Sequence, residues 1–128
     1  MTIQQISIFL ENRPGQLAAI CRTLAKAGVN IVTLSLADTA DFVIVRLIAD
    51  DHAKGVRALT DAGFAVRETD VVTVTVRNTP GGMAELMEKF DAAGVDIEYS
   101  YAYALGAGNE AVLVFRFKDN ARALAALK

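Results

Sequence analysis

Hydrophobic and polar positions change period in a fixed succession along this chain. Residues 3–10, Ile-Gln-Gln-Ile-Ser-Ile-Phe-Leu, place apolar side chains at alternate positions and predict a strand. After Pro14-Gly15 the period lengthens to that of a helix, with Leu17, Ile20, Cys21 and Leu24 on one face and Gly28 as the stop. Pro14 suits the first helical turn, where its missing N–H would have had no partner. Residues 29–37 predict a second strand, Asp38 to Asp41 a tight polar connection and residues 42–49 a third strand. A helix over 51–62, stopped by Gly63, and a strand over 64–69 complete the order β-α-β-β-α-β.

The same succession then repeats. Asn12-Arg13-Pro14-Gly15 returns as Asn78-Thr79-Pro80-Gly81, and Gly28-Val29-Asn30-Ile31 as Gly94-Val95-Asp96-Ile97, both at an offset of 66 residues (78 − 12 and 94 − 28). The two prolines of the chain occupy equivalent positions. The second copy predicts a strand over 71–76, a helix over 81–93, strands over 95–105 and 110–117, and a helix over 119–128. No fourth strand follows, so another segment completes that sheet or its end is absent. The expected fold class is α+β: two tandem ferredoxin-like βαββαβ domains, residues 1–70 and 71–128, with antiparallel sheets, helices on one face and the second copy short of its last strand.

A sandwich of this kind normally leaves one sheet face polar. Here the third strand is apolar on both sides, with Val43, Val45 and Leu47 against Phe42, Ile44 and Ile48, and the second strand sets Val32, Leu34 and Leu36 opposite Ile31. Strands apolar on both faces are usually covered on both, which predicts that the other copy or another chain lies over the open face.

Composition narrows the function classes. The chain is 53% hydrophobic with formal net charge −2, an acidic balance that argues against a nucleic-acid surface. No apolar run approaches the length of a membrane span, and Met-Thr-Ile-Gln-Gln does not read as a signal peptide. One cysteine excludes an internal disulfide and fits a reducing cytoplasm, the expected location. One histidine and one cysteine make no convincing metal site, and no cofactor is implied.

The candidate chemistry lies in the loop. A helix beginning near Pro14 leaves its first N–H groups unpaired and carries partial positive charge there, a seat for a carboxylate. Gly15 lets a ligand approach the backbone. Asn12 and Asn30 each carry an amide that can both donate and accept, which suits the ammonium and carboxylate of a zwitterion. Read alone, Asn12 is more readily an ordinary helix cap that binds nothing.

Glu11-Asn12-Arg13-Pro14-Gly15-Gln16-Leu17, followed by Ala27-Gly28-Val29-Asn30-Ile31 and then repeated, resembles the ACT domain, the small regulatory module of amino-acid metabolism. The first copy looks most like the serine-binding regulatory domain of phosphoglycerate dehydrogenase, and the whole chain like stand-alone tandem ACT proteins. The resemblance implies edge-to-edge association of domains into a continuous sheet, with an amino acid at the interface. The loop of one domain would face the second strand of its neighbour. It assigns Asn12, Gly15, Gln16 and Leu17 to one ligand loop and Asn30 and Ile31 to the facing strand; the copies are Asn78, Gly81, Gly82 and Met83, with Asp96 and Ile97. Paired copies would set Asn12 with Asp96 and Asn78 with Asn30. Serine-binding modules carry a histidine two positions before the loop asparagine, where this chain has Leu10 and Val76. That difference points to a less polar ligand side chain, with Leu10 beside it. Asp96 in place of an amide makes the two sites unequal.

Other features read as structure. Gly106 to Ala111 matches a dinucleotide pattern by letters but sits between two strands, as a hairpin turn does. Cys21 reads as a core residue and His52, beside Asp50 and Asp51, as a solvated one. Tyr99, Tyr101 and Tyr103 share one strand face and read as core or interface, or as a pocket wall. The leading expectation is a non-catalytic homodimeric sensor that binds a small amino acid between ACT domains and answers by rearranging them. The alternatives are a regulatory subunit docked on an enzyme of amino-acid biosynthesis, and a small enzyme on the same fold.

Overall fold

A computed structural model describes residues 1–39, 41–104 and 108–128. Six strands and four helices occur among them: β1 (Thr2–Glu11), α1 (Gln16–Lys26), β2 (Ile31–Asp38), β3 (Phe42–Ala49), α2 (His52–Asp61), β4 (Ala65–Arg77), α3 (Gly82–Ala92), β5 (Ile97–Ala104), β6 (Glu110–Phe117) and α4 (Asn120–Ala126). The chain divides into two compact units, an N-terminal one of Gln4–Thr69 and a C-terminal one of Asp70–Lys128 joined by Met1–Ile3. The α+β class with antiparallel pairing and a repeat short of one strand is as expected.

In the N-terminal unit the strand order is β2-β3-β1-β4. β1 pairs antiparallel with β3 through Ile6↔Leu47, Ile8↔Val45 and Leu10↔Val43, and these six side chains share a face. Ile20 and Leu24 of α1 and Leu59 of α2 close over them as one buried cluster. The opposite face holds a buried polar chain. The Gln5 amide donates to Ser7 Oγ at 3.0 Å, and Ser7 Oγ lies 3.1 Å from Thr69 Oγ1. Both β1 residues are buried, so these bonds offset a desolvation cost and tie β4 to β1 in register. Farther along that pair, Arg67 stacks over the Phe9 ring at 5.7 Å.

In the C-terminal unit the order is β1-β4-β6-β5. Val72, Leu86, Phe90, Leu113, Phe115, Phe117 and Ala123 form its core. Phe90 meets Phe115 and Phe117 edge-on at 5.4 and 4.9 Å, geometry that adds roughly 0.5–1.5 kcal/mol per pair beyond the burial itself. The missing edge is partly supplied by the start of the chain. The Met1 ammonium donates to Thr73 O at 3.0 Å, and Thr73 N–H returns a bond to Met1 O at 2.8 Å, the reciprocal exchange of an antiparallel pair.

Several local expectations need correcting. The strands predicted over 64–69 and 71–76 are one continuous strand, because residues 65–77 contain no Gly, Pro or Asn to break it. Pro14 lies outside α1, which begins at Gln16 after Gly15 turns left-handed (φ 87°). Cys21 is exposed. It sits about 100° of helical rotation beyond Ile20, at the rim of the stripe made by Leu17, Ile20 and Leu24. His52 is not solvated: its Nε2 lies 2.7 Å from Glu68 Oε1, with the ring mostly covered. The tyrosines pair across to β6 as Tyr99↔Arg116, Tyr101↔Val114 and Tyr103↔Val112, half-buried on the face away from the helices. The hairpin expected at Gly106–Ala111 falls partly on residues outside the described range, as does Ala40 of the Asp38–Asp41 connection.

Candidate functional site

Asn12 to Leu17 is shaped by two conformational facts. Gly15 takes a left-handed φ that a residue with Cβ adopts only at a cost, and a Cβ built there meets nothing within 4 Å. The turn is therefore open, with the backbone reachable at that point. α1 then starts at Gln16 with no side-chain cap, and Ala19 N–H is the first to find a helical acceptor, Gly15 O at 3.0 Å. The N–H groups of Gln16, Leu17 and Ala18 thus stand at the positive end of the helix.

The second copy repeats this. Gly81 has φ 91°, and α3 begins at Gly82, also without a side-chain cap. The two other helices behave differently: Asp51 accepts from Lys54 N–H at 3.2 Å and Asp119 from Arg122 N–H at 3.1 Å. Side-chain caps are present where the repeat carries no loop motif and absent where it does. Asn12 is accordingly not a cap; its Nδ2 reaches Asp38 Oδ1 at 3.5 Å, while its N–H bonds Asp41 O at 3.3 Å.

A cavity of about 230 Å³ opens at this loop. Its lining brings together Leu10, Asn12, Gly15, Gln16 and Leu17. Leu36, Val43 and Arg13 join them, three residues that neither the repeat nor the resemblance marks. Leu36 and Val43 arrive through strand register, since β2 pairs with β3 as Leu36↔Val45 and Asp38↔Val43. Arg13 supplies the cation of the loop. Its Nε lies 3.5 Å from Glu11, and with the Gln16 amide oxygen turned towards it, Arg13 Nε and Nη2 donate to that oxygen at 3.1 and 3.2 Å. A small apolar pocket with bare helix N–H groups and a guanidinium at its mouth fits a carboxylate-bearing molecule with an apolar side chain.

Asn30 and Ile31 are not at this cavity. Asn30 N–H donates to Asp50 Oδ1 at 2.9 Å, and its carbonyl accepts from Asp50 N–H at 3.0 Å, at the start of β2. Asn12 is held beside Asp38 at the other end of that strand, so the two asparagines stand roughly 25 Å apart along β2 at about 3.3 Å per residue.

In the second copy the assigned residues are dispersed. Asn78 N–H donates to Asn109 O at 2.6 Å, and Met83 and Ile97 are exposed. Asp96 faces Lys118 at 3.9 Å. Gly82 lines a separate groove along β4. Thr79 replaces Arg13, so the second loop lacks the cation of the first. Among the described residues no cluster of three or more His, Cys, Asp or Glu could hold a metal, and no helix is long and apolar enough to cross a membrane.

No curated protein matches the chain by sequence. A crystal structure of a protein from Bacteroides thetaiotaomicron is 40% identical, with TM-score 0.92 over 99% of this chain and 87% of that one. The ligand-free regulatory subunit of aspartate kinase from Thermus thermophilus shares the fold at 14% identity and TM-score 0.68, covering 99% and 95% of the two chains. That subunit from Thermus flavus does so at 16% and 0.64, over 99% and 93%. The family model described as an ACT domain pair matches residues 1–127, and the chain belongs to that family of regulatory, non-catalytic modules.

Proposed function

We propose that this protein binds a small amino acid at the Asn12–Leu17 loop and passes the binding event to an enzyme of amino-acid metabolism as its regulatory subunit. The uncapped start of α1 beside the Leu10–Leu17–Leu36 cavity carries the reading. The ligand's carboxylate would accept from the Gln16, Leu17 and Ala18 N–H groups, with Arg13 beside it. Its ammonium would meet the amide oxygen of Asn12, and its side chain would enter the apolar cavity. Leu10, where serine-binding ACT domains have histidine, favours an aliphatic ligand over serine.

The missing half of the site comes from the edge of another ACT unit. β2 is a free edge that exposes Val32, Leu34 and Leu36. An edge strand of another unit running antiparallel to β2 would bring the residue that precedes it, Asn30 or Asp96, to the Asn12 end. A homodimer built this way supplies the facing strand. The second loop, without a counterpart of Arg13 and with Asp96 in place of an amide, is the weaker site.

Docking on an enzyme gains support from the folds it shares with kinase regulatory subunits. Thermal unfolding against the twenty amino acids tests the ligand. A binder at about 100 times its dissociation constant should stabilise by roughly 2.7 kcal/mol, and Gly15→Val should remove the shift. A flat panel removes the amino-acid reading.

A further inference from the structure

The Asn12 cavity is aliphatic on its sheet side. Leu10, Val43 and Leu36 come from β1, β3 and β2, and the registers Leu10↔Val43, Asp38↔Val43 and Leu36↔Val45 put all three on the helix-facing side of the sheet. Leu17 packs against the same core from α1. All four are branched aliphatic side chains, and the polar lining side chains all lie within residues 11–16. Burial differs along this wall. Leu10 and Val43 are 5% and 8% exposed, a floor held by the core, whereas Leu36 is 47% exposed on the edge strand β2. An apolar group seated against Leu36 removes that surface from water, which favours binding.

We propose that the cavity selects a branched aliphatic amino acid, valine, leucine or isoleucine, and that Val43 and Leu36 set the selection. The proposal rests on the amino-acid reading of the loop and deepens it. A hydroxyl or amide on the ligand's side chain would leave water and meet only hydrocarbon on the sheet side, with no partner for its hydrogen bonds. A single methyl would leave most of the wall uncovered, and each further buried methylene raises affinity about fourfold. The volume of about 230 Å³ lies below the roughly 300 Å³ at which pockets for larger ligands begin, which disfavours an aromatic ring.

Calorimetric titration of the full chain with each of the twenty L-amino acids tests this. Valine and threonine are the decisive pair, because they share a shape and differ by a methyl against a hydroxyl. Valine should bind roughly tenfold or more tightly than threonine. Val43→Thr places a hydroxyl in the wall at nearly constant volume and should narrow that ratio. Leu36→Ala, at a half-exposed position, should weaken valine and leucine while leaving alanine nearly unchanged, a difference that a merely structural role would not produce. Tightest binding by a polar, charged or aromatic amino acid overturns the proposal and leaves the amino-acid reading standing. Equal weakening of alanine and leucine by Leu36→Ala, or an unaltered valine-to-threonine ratio in Val43→Thr, overturns the assignment of these residues. No binding by any of the twenty removes the amino-acid reading itself.

Discussion

Three glycines and one asparagine separate stability from the proposed function in this chain. Gly82 has an ordinary helical conformation, but a Cβ there would collide with the Arg77 carbonyl oxygen. Gly15 has open space around it and a left-handed φ, and Gly81 repeats that conformation. Gly82→Ala should therefore cost about 1–3 kcal/mol in urea unfolding through overpacking. Gly15→Ala should cost roughly 1–2 kcal/mol through backbone strain alone. Asn12→Ala removes only a long, exposed bond to Asp38, so its stability should stay within about 0.5 kcal/mol of the parent while the ligand-induced shift disappears. Asp51→Ala supplies the contrast: a true cap is lost, at about 1 kcal/mol, with ligand binding intact. Loss of stability in the Asn12 variant as large as in the Asp51 variant would make Asn12 structural.

At the scale of elements, much of the fold was legible because the repeat states it twice. The Pro-Gly and Gly-Val-Asn/Asp-Ile signals bracket α1 and α3, and alternation marks β1 and β3. What sequence could not supply was non-local. Leu36 and Val43 enter the cavity through the β2–β3 register, which a linear reading of either strand does not fix. Cys21 reads as core until the breadth of the buried stripe is known. The start of the chain reads as part of the first domain, yet Met1–Ile3 belong to the C-terminal unit. Arg13 carries a signal, since a cation beside bare helix N–H groups suits a carboxylate, but the repeat does not mark it, because Thr79 stands at the equivalent position. Deleting residues 1–3 should speed exchange of the Thr73 amide, which donates to Met1 O, and lower the thermal midpoint. Unchanged exchange would show that the edge is held without them.

For the whole molecule, the proposed ligand loop and the exposed edge of β2 should act as one site. Leu34→Glu on the exposed edge of β2 should yield monomers in sedimentation and weaken amino-acid binding together, because one contact serves both. Monomers with unchanged affinity would separate the site from the edge. The most direct measurement follows the backbone amides of the full chain while each amino acid is added. Shifts of Gln16, Leu17 and Ala18 that saturate with one ligand, and that vanish in Gly15→Val, are the predicted result. Saturable shifts that leave those three amides unmoved, or no shifts with any amino acid, would contradict the account.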